Sequence, residues 1–94
     1  MEVTILSVVT NDDGNIRQSL LAYSDKNKAA EDLHKYYIDE KCVADANGLQ
    51  IDCDDVNIIY EEQENDIYRC DSFFLANEKY HWSCVGNLST LVVL

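Results

Sequence analysis

The chain has no proline, only three glycines, seven basic residues and no long apolar run. Each shortage excludes something. Seven bases against eighteen acids leave a net charge of −11. A field of that sign repels nucleic-acid phosphates and anionic membranes and draws basic partners in, so no direct DNA or RNA binding is expected. Three scattered glycines cannot build a dinucleotide or phosphate loop. Nothing approaches the ~20 consecutive apolar residues that span a bilayer. Glu2 stands where a signal peptide needs Lys or Arg, and Asn11, Asp12 and Asp13 arrive before a cleavage site could form. The expectation is a soluble, cytoplasmic protein. The lack of proline suits a compact α+β domain with few rigid loops.

What is present is globular. The apolar share is 47%, with six tyrosines, two phenylalanines and one tryptophan, too much for a disordered chain. The length predicts one domain over residues 1–94.

"EVTILSVVT" (2–10) is rich in β-branched residues and alternates. "NDDGN" follows as a turn, and "IRQSLLAYS" (16–24) reads as the return strand of a β-hairpin. From Ser24 the period changes. Ala29, Ala30, Leu33 and Tyr37 fall at helical spacing behind a Ser24 or Asp25 cap, which predicts a helix over about 25–40. "CVADANG" ends it, with Asn47-Gly48 as a turn. Residues 52–64 fit either period, and the capping pattern Asp52…Asp55 with Val56, Ile59 and Tyr60 on one face favours a helix. "YRCDSFFLANEKYHWSC" (68–84) reads as a second hairpin in which Trp82 opposes Phe73 and Leu75 across the strands. "LSTLVVL" (88–94) reads as a last edge strand. The order ββα-x-ββ predicts a four- or five-stranded antiparallel sheet packed on one or two helices.

Four cysteines (Cys42, Cys53, Cys70, Cys84) and two histidines invite a metal reading, but no CxxC occurs and the gaps between cysteines are ten, sixteen and thirteen residues. His81 and Cys84 would point to opposite faces of a strand. Four reduced, mostly buried thiols are expected, with no metal and no cofactor. "TNDDGN" fails as a calcium loop, because Val9 and Leu20 occupy the first and last ligand positions. No nucleophile elbow, phosphate loop or HExxH is present, so no catalytic residue is assigned and the expectation is a non-enzyme. Tyr80, His81 and Trp82 form the best candidate for an alternative ligand-binding site.

The charge is concentrated. Residues 39–66 hold ten acids and one base, Lys41, for a net of −9. Within them Asp52, Asp54, Asp55, Glu61, Glu62, Glu64 and Asp66 surround Tyr60, and Ile58, Ile59, Ile67 and Tyr68 could anchor a docked partner. Solubility needs less charge than this, and crowded carboxylates destabilise their own fold. Crowding of this kind is expected to raise carboxylate pKa values on average.

In size, charge and order of elements, including the late aromatics of "SFFLANEKYHWSC", the whole chain resembles small acidic accessory proteins of phages and bacterial mobile elements. It is similar to anti-CRISPR and anti-restriction proteins in size and charge, without a diagnostic motif and with no residue carried over. The resemblance implies a protein that binds a host protein, with carboxylates standing in for phosphates.

Three functions are open at this point. The first is a non-enzymatic module whose acidic face engages a basic, nucleic-acid-binding partner protein as an inhibitor or accessory factor. The second is a small-molecule or metal-binding domain built on the aromatic hairpin. The third is a homo-oligomeric structural protein joined through the C-terminal strand.

Overall fold

A computed structural model describes residues 1–94. The chain runs β1 (Glu2–Asp12), β2 (Asn15–Tyr23), α1 (Lys26–Ala46), β3 (Cys53–Glu62), β4 (Ile67–Asn77) and β5 (Trp82–Val92). The strands form one antiparallel sheet in the order β2-β1-β5-β4-β3. The fold is α+β, with five strands and a single helix.

The first hairpin follows from its turn. Asp13 (φ 50°) and Gly14 (φ 95°) both take the left-handed region, the pattern whose twist matches that of two paired strands. The Asn11 side chain accepts from Gly14 N at 2.9 Å. Along β1 the burial alternates, with Thr4, Leu6, Val8 and Thr10 buried and the residues between them half-exposed.

Helix α1 leaves the β2 edge and crosses one face of the sheet to deliver β3 to the other edge. Asp25 caps it, accepting from Asn27 N at 2.9 Å. The helix runs six residues past the expected end at 40, because Ala44 continues the buried stripe of Ala29, Ala30, Leu33 and Tyr37. The stop comes at Asn47-Gly48, where Gly48 turns left-handed and Leu49 N bonds back to Ala44 O at 2.8 Å. At the other end Tyr23 of β2 donates to Asp32 at 2.8 Å. Burial and then this carboxylate push the tyrosine up to about 12.

Between helix and sheet lies one core cluster. Its members are Leu6 and Val8 of β1, Leu33, Tyr37 and Ala44 of α1, Cys70, Phe73 and Leu75 of β4, and Trp82 and Cys84 of β5. Trp82 is buried, but it does not oppose Phe73 and Leu75. Its cross-strand neighbour is Asn77, while Leu75 faces Cys84 and Phe73 faces Gly86.

Two expectations fail. Residues 53–62 form a strand rather than a helix. Register shifts between Asn57/Ile58 and Ile58/Tyr60 break the alternation of β3, and a bulged strand repeats its apolar residues at spacings that imitate a helix. Residues 88–92 are no separate edge strand either. They continue β5, whose first half lies between β1 and β4.

β4 pairs with β5 only from Ser72 to Asn77, whereas its pairing with β3 extends to Ile67. The Ile58–Arg69 end of the β3–β4 hairpin therefore continues past the last β4–β5 pair, with its acidic turn at the tip.

The face of the sheet opposite α1 carries the alternate residues. Val3, Ile5, Ser7, Val9 and Asn11 of β1 belong to it, as do their partners Ala22, Leu20, Gln18 and Ile16 on β2. On the other side the register adds Leu91, Ser89, Asn87, Val85 and Ser83 of β5, then Ser72, Phe74 and Ala76 of β4. No element of the chain covers this face.

Candidate acidic binding edge

β3 is an outer strand of the sheet, so one row of its backbone N–H and C=O groups has no ladder partner. Its composition places carboxylates along that edge. Asp52 precedes the strand, Asp54 and Asp55 open it, Glu61 and Glu62 close it, and Glu64 and Asp66 sit in the turn to β4. A ten-residue strand is about 33 Å long at ~3.3 Å per residue. The acidic residues are thus strung along one margin, and they do not converge on a point.

Their local bonds sort them by role. Asp54 faces the helix. It accepts from Tyr37 Oη at 2.6 Å and pairs with Lys41 Nζ at 2.8 Å, and Lys41 also donates to Tyr37 Oη at 3.3 Å. Burial works to raise the Asp54 pKa, but the bonds from Lys41 and Tyr37 outweigh it and hold the carboxyl below its ordinary value. Crowding would have moved it the other way. Its charge is spent on clamping α1 to β3. Glu62 is also engaged, accepting from Tyr60 Oη at 3.0 Å and from Asn65 Nδ2 at 2.7 Å, which closes the tight turn. Asp52 accepts from Glu78 N at 3.2 Å and ties β3 to the β4–β5 turn.

Asp55, Glu61, Glu64 and Asp66 are exposed, and of the seven carboxylates Asp54 alone has a cationic partner within 4.0 Å. The one base of the hairpin arm, Arg69, is committed elsewhere. Its guanidinium lies 4.5 Å over the Tyr60 ring and 3.4 Å from Glu31 of the helix, and its Nε is buried without a hydrogen-bond partner. Ile58, Ile59 and Tyr60 are exposed beside the free acids. Ile67 and Tyr68 are half-buried, and Tyr68 stacks on His34 with ring centroids 5.2 Å apart.

One acidic residue at this margin lay outside the charged window of the sequence. Asp71 accepts from Asn57 Nδ2 at 2.6 Å across the strand pair. Nothing local signals this, because cross-strand neighbours are distant in sequence.

The aromatic hairpin does not assemble as a triad. Trp82 belongs to the core, Tyr80 is exposed, and His81 turns left-handed (φ 53°) in the β4–β5 turn. Its backbone carbonyl accepts from Asp13 N at 3.1 Å, joining the two hairpin turns. Tyr80 and Trp82 do line a concavity of about 420 Å³ at the C-terminal end of α1, together with Arg17, Glu40 and Leu49. It lies away from β3. The structure brings no three His, Cys, Asp or Glu side chains into a metal-holding group.

The four cysteines are unpaired. Only Cys70 and Cys84 are buried, and burial pushes their thiols up to about 12 and about 11. Cys42 is exposed and Cys53 half-exposed, so the set is less buried than its composition suggested. No helix is long and apolar enough to cross a membrane.

No family model, no curated protein and no solved structure matches the chain.

Proposed function

We propose that the protein is a non-enzymatic binding module whose β3 edge engages a basic partner protein, as an inhibitor or accessory factor of a nucleic-acid-binding site. One observation carries this reading. A strand edge with unpaired backbone groups, together with the turn that follows it, bears four exposed carboxylates with no cation within 4.0 Å, next to the exposed Ile58, Ile59 and Tyr60. Carboxylates spaced along an edge offer a basic groove an anionic track, and an open strand edge can take an extended segment by main-chain hydrogen bonds. The exposed apolar side chains supply contact area that charge alone lacks. The likeness to phage and mobile-element accessory proteins points to the same class of partner, and a cytoplasmic setting suits it.

The bonding pattern selects the test. Asp55, Glu61 and Glu64 reach solvent without holding the fold together, whereas Asp54 and Glu62 have structural partners. A pull-down from host lysate at low salt identifies the basic partner, and its affinity is then measured for the parent and for Asp55→Lys/Glu61→Lys/Glu64→Lys. The expected result is a steep loss of affinity with salt, and a loss of about tenfold or more in the variant. Recovery of no basic partner, or a variant affinity within about twofold of the parent, would overturn the reading.

A second reading rests on the concavity beside Trp82. An indole, a phenol, a guanidinium and two carboxylates (Asp12 and Glu40) around about 420 Å³ suit a small polar molecule. A retained ligand in native mass spectra, lost on Tyr80→Ala, would favour it.

A further inference from the structure

The sheet has one layer too few. A single helix covers one of its faces, the molecule is 17 Å thick along its shortest axis, and 17 of 94 residues are buried. The uncovered face carries large apolar side chains, Phe74, Val85, Val9, Ile5 and Leu20, on four adjacent strands, around a central row of Ser72, Asn87 and Ser7. Sheets of this kind ordinarily put polar side chains on a solvated face.

Its charge distribution says what covers it. Across β2, β1, β5 and the Ser72–Ala76 stretch of β4, this face bears no charged residue, on a chain of net charge −11. Asp55 and Asp71 stand only at its β3 margin. A basic or acidic partner finds nothing here to pair with. Another copy of the chain is repelled by the helix side and the acidic edge, and meets no like charge on this face alone. We propose that the open face packs against the same face of a second copy, about a two-fold axis, to give a four-layer helix–sheet–sheet–helix dimer.

Size and relief fit that occupant. Four strands ~4.8 Å apart and a nine-residue run at ~3.3 Å per residue give a flat footprint of roughly 19 by 30 Å, about 570 Å², close to the ~600 Å² per partner at which stable interfaces begin. A standard interface buries about 800 Å² per partner. Phe74 projects from the face and borders a hollow of about 510 Å³ at its β3 margin, lined also by Ser72, Val85, Asn57 and the carboxylate-bearing Asp55. A projection beside a hollow on one patch is self-complementary under two-fold symmetry. Ser7, Ser72 and Asn87 supply hydrogen bonds without charge.

Sedimentation and light scattering of the full chain at micromolar concentrations test the proposal. The expected mass is twice 10.7 kDa, and the dimer should tighten with added salt, because screening weakens the repulsion between two acidic bodies. Binding of a basic partner weakens with salt, so the sign of the salt response separates the two events although Asp55 borders both surfaces. Leu20→Glu should raise the dimer dissociation constant by about tenfold or more, since Leu20 is 60% exposed on the open face. Leu21→Glu, one residue on and facing the helix side, should leave the constant within about twofold. Circular dichroism checks whether both variants fold, and Ile16→Glu repeats the test should Leu20→Glu fail to fold. A parent that stays monomeric at low and high salt would overturn the proposal. So would a dimer indifferent to Leu20→Glu and Ile16→Glu, or a monomer that binds neutral lipid vesicles through this face.

Discussion

Gly86 is the one glycine outside a turn, and its reason is a ring. Phe73 lies across it from the neighbouring strand, so closely that a methyl group at residue 86 would overlap Phe73 Cε2. Both positions sit mid-strand in the centre of the sheet, where the backbone has little room to shift. Gly86→Ala should therefore cost about 1–3 kcal/mol by overpacking. Phe73→Leu in the same chain should return part of that loss, since the two positions share one space. Urea melts of the single and double variants measure both, and additive losses would place the Phe73 ring elsewhere. His34 acts at the same scale. Burial lowers its pKa, and it sits neutral against Tyr68. A depressed folded value means that the unfolded chain takes up the proton first. The stability contributed is complete above about pH 6.5, the unfolded value, and is lost as pH falls through the lower folded value. Asp32 and Asp54 also have lowered values, despite the opposing effect of burial, through bonds from Tyr23, Lys28, Lys41 and Tyr37. Their contribution is complete above about pH 3.9 and is lost at still lower pH. These two contributions should thus be lost in turn on acidification, against the relief of carboxylate repulsion, and His34→Gln should remove the first. Stability that instead rises toward pH 5 would show crowding among the carboxylates to dominate.

At the scale of elements, the clamp between α1 and β3 decides whether the acidic edge is held in place. Tyr37 belongs both to the core, tilted on Phe73 at 5.5 Å, and to the bond with Asp54. Tyr37→Phe keeps the ring and deletes the donor, so it should cost about 1 kcal/mol or somewhat more, because the acceptor is charged. Asp54→Lys should cost more, since it sets a second cation beside Lys41. Asp55→Lys, its neighbour on the other face of the strand, should leave the melting temperature nearly unchanged while weakening partner binding. Equal effects at the two positions would mean that both carboxylates are merely surface. This division was not legible in the sequence. Asp54 and Asp55 look alike there, and the bulges at Asn57/Ile58 and Ile58/Tyr60 gave the segment a helical spacing. The hairpins were legible because Asp13-Gly14 and the alternating strands are local signals. The helix was legible up to 40, and its last six residues were hidden because Ala44 carries so little hydrophobic weight. The insertion of β5 between β1 and β4 had no local trace at all. It depends on which pairing buries Leu6, Val8 and Cys84 together.

On the scale of the whole molecule, charge is segregated. The helix, the β3 edge and the turns carry the acids, and the open face of the sheet carries almost none. Two copies joined by that face would hold their acidic edges at the periphery, one per copy, so a partner with repeated basic sites could engage both at once. Segregation also makes the fold work against itself. Like charges held on one side of a folded domain repel more than in an expanded chain, so added sodium chloride at neutral pH should raise the melting temperature by screening. The reversals Asp55→Lys, Glu61→Lys and Glu64→Lys change the charge by two each and take the chain from −11 to −5. They avoid the carboxylates that clamp or close the structure. In this variant the salt-dependent rise should shrink to a small fraction of the parent's, and the melting temperature at low salt should increase. A dimer would add its own salt dependence, so the melts belong in the Leu20→Glu background, where that contribution is absent. If the parent and the triple variant respond equally to salt there, the repulsion lies along the helix, with Asp39, Glu40 and Asp45, and the free carboxylates of the β3 edge cost the fold nothing.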